Sequence, residues 1–458
     1  MASILPGPAL QYRRPSLGDK AVLLILLLVI VAFSVLVELR AAFMQRRMTD
    51  AGVYFRAAWA VRSGDDLYQV ADDNDWHYNY PPLLAIVLTP LADAPAGVDR
   101  SALLPYPVSV ALWFLVNMLC GLVAVHWLAR ALEESSPDPA VRSTPVGCQA
   151  WWRRRVVPLL ICLPPVAHTL MRGQVNLIVL LLLAGMLAAH LRGRSFTAGV
   201  WLAGAICIKI IPAFLLVLPL WRRDGRFLKG CAAGLAVGLL AVPALVLGPA
   251  RTVHSYSQLA NAVLRPGLTH EGDLTRAKEL TNMTGTASQS FIAVSHNTLH
   301  LDRATRPEHA DPLLRMVALA AAGLLTLATL LAARRRLNAG GPERGAELML
   351  TWGAVVLAML FTSPISHMHY FCLCRPLVMA LLMLVPPRGG ALLAWAPLTV
   401  LFVTVSILPH VPEWFVLRDV GLVMYGGLMC WAAAMAVLLW PAPKLAEAAD
   451  TERQPLAA

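Results

Sequence analysis

Charge is what this chain has least of: Asp, Glu, Lys and Arg together make up 14% of its 458 residues, against 58% hydrophobic. A soluble core of this size cannot hide that much apolar surface, so the composition is that of an integral membrane protein. Other absences narrow the class. No GxxxxGK[ST] phosphate loop is present for an ATP-driven pump, and no internal repeat of the kind secondary transporters carry. No HExxH is present either; His296 and His300 stand four apart near Glu308 and His309, without further metal signature, and no metal is expected. The eight cysteines show no zinc or redox spacing: Cys120, Cys162, Cys207, Cys231, Cys372, Cys374 and Cys430 lie in or beside apolar runs and read as packing residues, leaving Cys148 in a polar loop.

A net charge of +11 raises the question of nucleic acid. The basic residues answer it, because they fall in short clusters between apolar runs, which is the positive-inside pattern of a membrane protein. Membrane elements are expected at about 21–39, 106–131, 156–170, 174–191, 196–208, 211–221, 228–247, 313–333, 346–362, 370–386, 391–409 and 419–440. The first, following Arg13, Arg14 and Lys20, is too long for a signal-peptide core and reads as a retained anchor. Loops carrying Arg153-Arg154-Arg155, Arg192 with Arg194, Arg222-Arg223 and Arg334-Arg335-Arg336 are then cytoplasmic, as are both termini and the tail 441–458. The chain is expected to form a single polytopic membrane domain, 1–458, with two long extracytoplasmic loops at 40–105 and 249–312.

Both flanks of 196–221 are basic, so this stretch must return to the side it came from. It is expected to be a helical hairpin with Lys209 and Pro212 at its turn. A lysine at that depth either lines a polar site or snorkels to the headgroups.

The first outer loop carries the chemistry of most interest. Asp50 lies 11 residues past Leu39, about 16 Å along a continuous helix, which is headgroup height. Arg46 and Arg47 just before it could hold the carboxylate ionised or bind phosphate; the bland alternative is a surface salt bridge. Val53, Ala57, Ala60 and Val61 share one helical face while Arg56 and Arg62 lie elsewhere, so 50–62 reads as a short amphipathic helix on the membrane surface or against other loops. Trp76, Tyr78 and Tyr80 read as interfacial aromatics, and Pro81-Pro82 force an extended lead into the next helix.

Taken in order, Asp50 with Tyr54 and Ala57-Ala58, Gly64, Leu67-Tyr68, Tyr80-Pro81-Pro82, Pro90-Leu91, Gly173-Gln174-Val175-Asn176, and Lys209 with Pro212 resemble the polyprenol-phosphate-dependent glycosyltransferases of family 87, which include polyprenol-phosphate-mannose-dependent α-mannosyltransferases. Ser288-Gln289-Ser290 and the run from Ser363 through Pro364, Ile365 and Ser366 to His367-Met368-His369 extend the likeness to about residue 376. No single piece is specific; the ordered set is. The resemblance implies an all-α, GT-C-type polytopic helical bundle with about 10–12 membrane helices. It also implies an inverting hexosyltransferase that takes a sugar, mannose first among the donors, from a polyprenyl phosphate to a lipid or glycan hydroxyl on the extracytoplasmic side of the cell membrane. No cofactor is expected, the lipid-linked sugar being a donor substrate. The partners are then the donor, the acceptor and membrane lipids, without nucleic acid, and oligomeric state stays open.

Within this frame Asp50 matches the family's first-loop aspartate, the general base. Lys209, Arg172, His367, His369 and Arg375 are candidates for the donor phosphate, with Tyr80 and Gln174 as further substrate contacts. His367 and His369, two apart, share a face only if the turn that bears them is extended; otherwise they are interfacial histidines bonded to backbone. His168 and Arg172, one turn apart, carry the same two readings. The competing function is a flippase or exporter of lipid-linked saccharide without catalysis.

Overall fold

Long leucine- and alanine-rich runs, interrupted by proline, glycine and arginine clusters, fold as helices because a backbone surrounded by lipid must satisfy its own hydrogen bonds. The computed structural model describes residues 17–38, 49–265, 280, 288–338, 344–384, 396–401, 404 and 414–439. Among them no strand occurs; two isolated antiparallel bridges, Ala71 with His77 and Ser288 with His367, are the extended pairings.

In chain order the helices are α1 (Leu17–Glu38), α2 (Thr49–Ser63), α3 (Pro82–Val87), α4 (Tyr106–Ser135), α5 (Pro139–Arg142), α6 (Gln149–Ile161), α7 (Leu163–Arg172), α8 (Asn176–Leu191), α9 (Ser195–Ile208), α10 (Val217–Trp221), α11 (Gly225–Leu235), α12 (Val242–Leu247) and α13 (Pro249–Gln258). They continue with α14 (Phe291–Leu299), α15 (Pro312–Asn338), α16 (Arg344–Thr362), α17 (Arg375–Leu384), α18 (Phe415–Asp419) and α19 (Leu422–Leu439). Five stretches among the described residues are long and apolar enough to cross a membrane: Tyr106–Ser135, Gly225–Leu247, Pro312–Arg336, Gly345–Thr362 and Leu422–Leu439. Shorter apolar helices at Asn176–Leu191, Ser195–Ile208, Ile211–Trp221 and Met368–Leu384 fill the bundle between them. Their outward faces are bare leucine and valine, such as Leu245, Leu319 and Leu324, which in a helical bundle of this composition is the lipid-facing surface.

The expected elements overlap these helices, although 211–221 and 370–386 open as 3₁₀ turns, 228–247 contains a π-helical turn at Ala236–Ala241, and two further places differ. The 156–170 element is broken at Cys162 into α6 and α7, where Pro164 and Pro165 cannot continue the preceding ladder and instead start a new helix. The 391–409 element lies mostly outside the described residues, as do the tail 441–458, Arg46 and Arg47, and the join from Leu39 to Asp50. Cys148, left over in the sequence, starts α6 by accepting the Trp151 amide at 3.4 Å through Sγ.

The hairpin at 196–221 is present, and small residues explain how. Gly230 faces Phe196, Gly199 faces Phe227 and Cys231, Gly234 faces Ala203, and Gly238 faces Cys207. The partners rise together along both helices, so α9 and α11 run parallel, and the 209–224 stretch between them must return to its starting side. A methyl group at Gly199 would collide with the Phe227 carbonyl, and one at Gly230 with the Phe196 carbonyl. This is the small-residue contact by which membrane helices approach closely. The pair fixes the hairpin turn, and with it Lys209.

Candidate active site

Asp50 stands in the first turn of α2, where the helix dipole favours a carboxylate. The helix is packed against other parts of the protein, one of the two readings its sequence left open. Ala51, Tyr54, Phe55, Ala57, Ala58 and Ala60 are all fully buried, so apolar contacts surround it. The arginine that gave it an amphipathic look, Arg56, is also buried; it donates to Asp93 O at 3.1 Å and Ala71 O at 3.0 Å and pairs with Asp73 at 2.7 Å. Those acceptors replace water, so α2 runs inside the protein and carries Asp50 with it. The nearby aromatics differ from expectation. Tyr78 is fully buried with its hydroxyl donating to Pro81 O at 2.7 Å, and of the three only Trp76 is well exposed.

Four elements converge on the carboxylate. The left-handed residue Gly173 (φ 67°) closes α7, and its carbonyl accepts the Trp113 indole N–H at 2.7 Å. This turn aims the buried Gln174 at α2, where its amide nitrogen donates to Asp50 Oδ1 at 2.5 Å. The other end of that amide, Oε1, lies 3.1 Å from the Tyr54 hydroxyl, which is 3.0 Å from the Tyr80 hydroxyl. Tyr54 has one proton to give, to the Tyr80 hydroxyl or to Gln174 Oε1, and Gln174 gives an amide proton to Asp50. Burial, reinforced by the Tyr80 and Asp50 charges, raises the Tyr54 hydroxyl well above the usual tyrosine range. It therefore acts as a neutral donor.

Lys209 lies near this cluster. The α9 helix ends at Ile208, and Lys209 adopts an extended conformation (φ −148°, ψ 128°) that turns its side chain back into the bundle. Its ammonium donates to Asn176 Oδ1 at 2.9 Å and sits 3.9 Å from the Tyr370 ring centroid and 5.6 Å from that of Tyr80. Only 6% of the residue is exposed, which rules out snorkelling. A cation placed on aromatic faces and one amide oxygen keeps much of its charge for an incoming anion.

The two late motifs of the sequence meet here as well. Gln289 N donates to Ser366 O at 2.6 Å, Ser366 N to Ser288 Oγ at 3.1 Å, and Ser290 Oγ to Pro364 O at 3.1 Å. These bonds hold the loop before the 3₁₀ turn Met368–Cys374 extended at His367 (ψ 157°). The His367 and His369 rings consequently share a face, stacked with centroids 5.3 Å apart and His369 edge-on to Tyr370 at 4.8 Å. His367 Nδ1 and His369 Nε2 are buried without a hydrogen-bond partner among the described residues. Burial first, and then the charges of Arg172 and Lys209, push the His367 imidazole down to about 3. It enters the site neutral, with one N–H to give.

Asp50, Gln174, Tyr80, Lys209, His367 and His369 are thus brought together, with Arg172 exposed at the end of α7 but close enough to repel a proton from His367. Arg375 is elsewhere. It is fully buried, with Nη1 on Gly121 O at 3.4 Å and Cys162 beside it, so its partners are not those of the Asp50 cluster. Tyr370 and Asn176 were missed as site residues, and so was Tyr54, although Asn176 and Tyr54 stood inside recognised motifs. The signal was there for those two; for Tyr370 it was only its place next to His369. Among the described residues no group of three or more His, Cys, Asp or Glu is arranged to hold a metal.

Fold and site together define a multi-pass helical membrane protein with a carboxylate and a buried ammonium in one polar cluster. The chain belongs to glycosyltransferase family 87, whose model matches residues 78–364. It is 26% identical over 383 residues, 77% of this chain and 76% of the relative, to the polyprenol-phosphate-mannose-dependent alpha-(1-2)-phosphatidylinositol mannoside mannosyltransferase of Mycolicibacterium smegmatis. It is 24% identical over 345 residues, covering 71% and 69%, to the protein of the same description from Mycobacterium tuberculosis. Among solved structures, ArnT from Cupriavidus metallidurans bound to undecaprenyl phosphate aligns with 90% of this chain and 76% of its own, at 15% identity and a TM-score of 0.35. That likeness is loose, and no residue role is taken from it.

Proposed function

We propose that this protein is an inverting glycosyltransferase that moves mannose from polyprenyl phosphate mannose to a hydroxyl of a lipid-borne glycan, on the extracytoplasmic side of the cell membrane with both termini in the cytoplasm. The observation that carries the proposal is the Asp50 carboxylate bonded by Gln174, whose amide is tied to Tyr54 and Tyr80, near the buried Lys209. The mannose donor and the lipid-borne acceptor follow the family and the names of its mycobacterial relatives.

The chemistry divides between the two charges. The acceptor oxygen forms a bond to the anomeric carbon and gives its proton to Asp50; the bond from that carbon to the phosphate oxygen breaks, and its electron pair leaves with polyprenyl phosphate. Lys209 stabilises the added negative charge on the departing phosphate, with the His367 and His369 N–H groups as further donors. Gln174 holds the Asp50 carboxylate in one orientation, and Tyr54 and Tyr80 hold Gln174.

The test is transfer in proteoliposomes supplied with polyprenyl phosphate mannose and phosphatidylinositol mannosides. The expected result is a lipid product heavier by one hexose, its anomeric configuration opposite to that of the donor. Movement of the donor across the bilayer with no new glycosidic product would replace this reading with that of a flippase.

A further inference from the structure

At the far end of α8 from Asp50, the turn into α9 and the last turns of α4 enclose a cavity of about 250 Å³, lined in part by His126, Arg130, Arg192, Arg194 and Trp201. Gly185 makes part of its wall possible. A Cβ at that position would lie 2.6 Å from the Trp201 indole, which packs edge-on against Trp127 with centroids 5.7 Å apart.

The charged side chains that line it are arginines. Arg130 and Arg192 share a single carboxylate, Glu134, at 2.7 and 2.8 Å, and the adjacent Glu133 is taken by Arg154 at 3.3 Å and Arg155 at 2.9 Å. Of the three arginines that line the cavity, Arg130 and Arg192 thus share one carboxylate, and Arg194 adds a third guanidinium from the cap of α9. A second observation joins the cavity to the lipid. Leu115, Leu119 and Leu122 are exposed on α4 at helical spacing, and the same face continues into His126 and Arg130 at the cavity. An apolar track therefore ends in a cationic recess flanked by indoles, which is the layering of a membrane interface.

We propose that this cavity binds the headgroup phosphate of an anionic glycerophospholipid from the leaflet opposite Asp50, its acyl chains lying along the Leu115–Leu119–Leu122 face. Guanidinium forks match paired phosphate oxygens, which is why arginine is the suited cation here. The inference does not rest on the transferase reading, since no residue of the Asp50 cluster takes part.

The experiment is a lipid titration of the purified full chain in neutral detergent, read by native mass spectrometry. It compares phosphatidylglycerol with phosphatidylcholine for the parent, Arg194→Gln and, as a control outside the cavity, Arg153→Gln. The parent is expected to favour phosphatidylglycerol at least tenfold, Arg194→Gln to lose roughly fivefold of that affinity, and Arg153→Gln to keep it. Arg194 is exposed, so an unchanged thermal midpoint is the expected check on folding. Equal binding of the two lipids, or an equal loss in Arg153→Gln, would overturn the proposal. Displacement of phosphatidylglycerol by millimolar inorganic phosphate would also overturn it, by showing a site for the free anion.

Discussion

The two ends of α8 handle charge in opposite ways. At its C-terminal end the arginines are exposed and hold glutamates, Arg192 and Arg130 on Glu134. At its N-terminal end, about 24 Å away along the helix axis for 16 residues, the buried Lys209 is held by Asn176 and the faces of Tyr370 and Tyr80. Exposed pairs of the first kind contribute little to stability and are screened by salt. A charge buried away from water acts far more strongly on a charge that appears beside it. The difference teaches which end can do chemistry on a phosphate.

The comparison breaks most sharply at Asp50. Replacing it with Ala is expected to slow transfer by about 10²–10⁴-fold, the range of a lost general base, with membrane insertion intact. A rate within tenfold of the parent would remove the carboxylate from the mechanism. Lys209→Met is expected to cost about 10²–10³-fold in kcat, as for loss of one donor to a developing anion, and Lys209→Arg to restore part of it. The matching change at the other end, Arg192→Met, should leave kcat unaltered, so an equal loss there would erase the distinction between the ends.

Smaller effects sharpen the same picture. Gly199→Ala forces a methyl group against the Phe227 carbonyl and is expected to cost about 1–3 kcal/mol by overpacking, read as a lowered thermal midpoint in detergent. An unchanged midpoint would mean that α9 and α11 can move apart and that the hairpin does not hold Lys209 in place. Gln174→Leu leaves Asp50 without the amide donor and is expected to lower kcat roughly tenfold, about the net value of one hydrogen bond to a charged group.

The pH dependence follows from His367. Its folded-state value, about 3, lies below the ordinary value near 6.5, so the unfolded chain binds the proton more readily. The neutral ring's contribution is therefore complete above about pH 6.5 and is lost as pH falls from there toward 3. His367→Asn should flatten that part of the stability curve, measured as thermal midpoint against pH. An identical curve in the variant would show that another group titrates.

Much of this was legible in the sequence, and the reasons lie in particular residues. Lys209 stood out because a charge between two basic flanks has few explanations at membrane depth, and the hairpin followed from the same arginines. Ser288-Gln289-Ser290 and the His367 loop were read as separate motifs; the backbone bonds that join them span residues too far apart for any local pattern to reveal. Of the two readings open for α2, the packing against other loops is the one seen, because Arg56 meets Asp93, Ala71 and Asp73 in place of water. Arg375 was grouped with the His pair by proximity in sequence. The 3₁₀ turn that separates them sets its direction, and that turn has no signature in the apolar run it occupies.

The central claim is that Asp50 takes the acceptor's proton and is not needed to hold the donor. The most direct measurement pairs donor binding with single-turnover transfer in the same Asp50→Asn preparation, reconstituted with polyprenyl phosphate mannose. Binding within a few-fold of the parent, together with a transfer rate reduced at least a hundredfold, is the predicted result. Transfer at the parental rate, or donor binding lost in proportion to the rate, would contradict it.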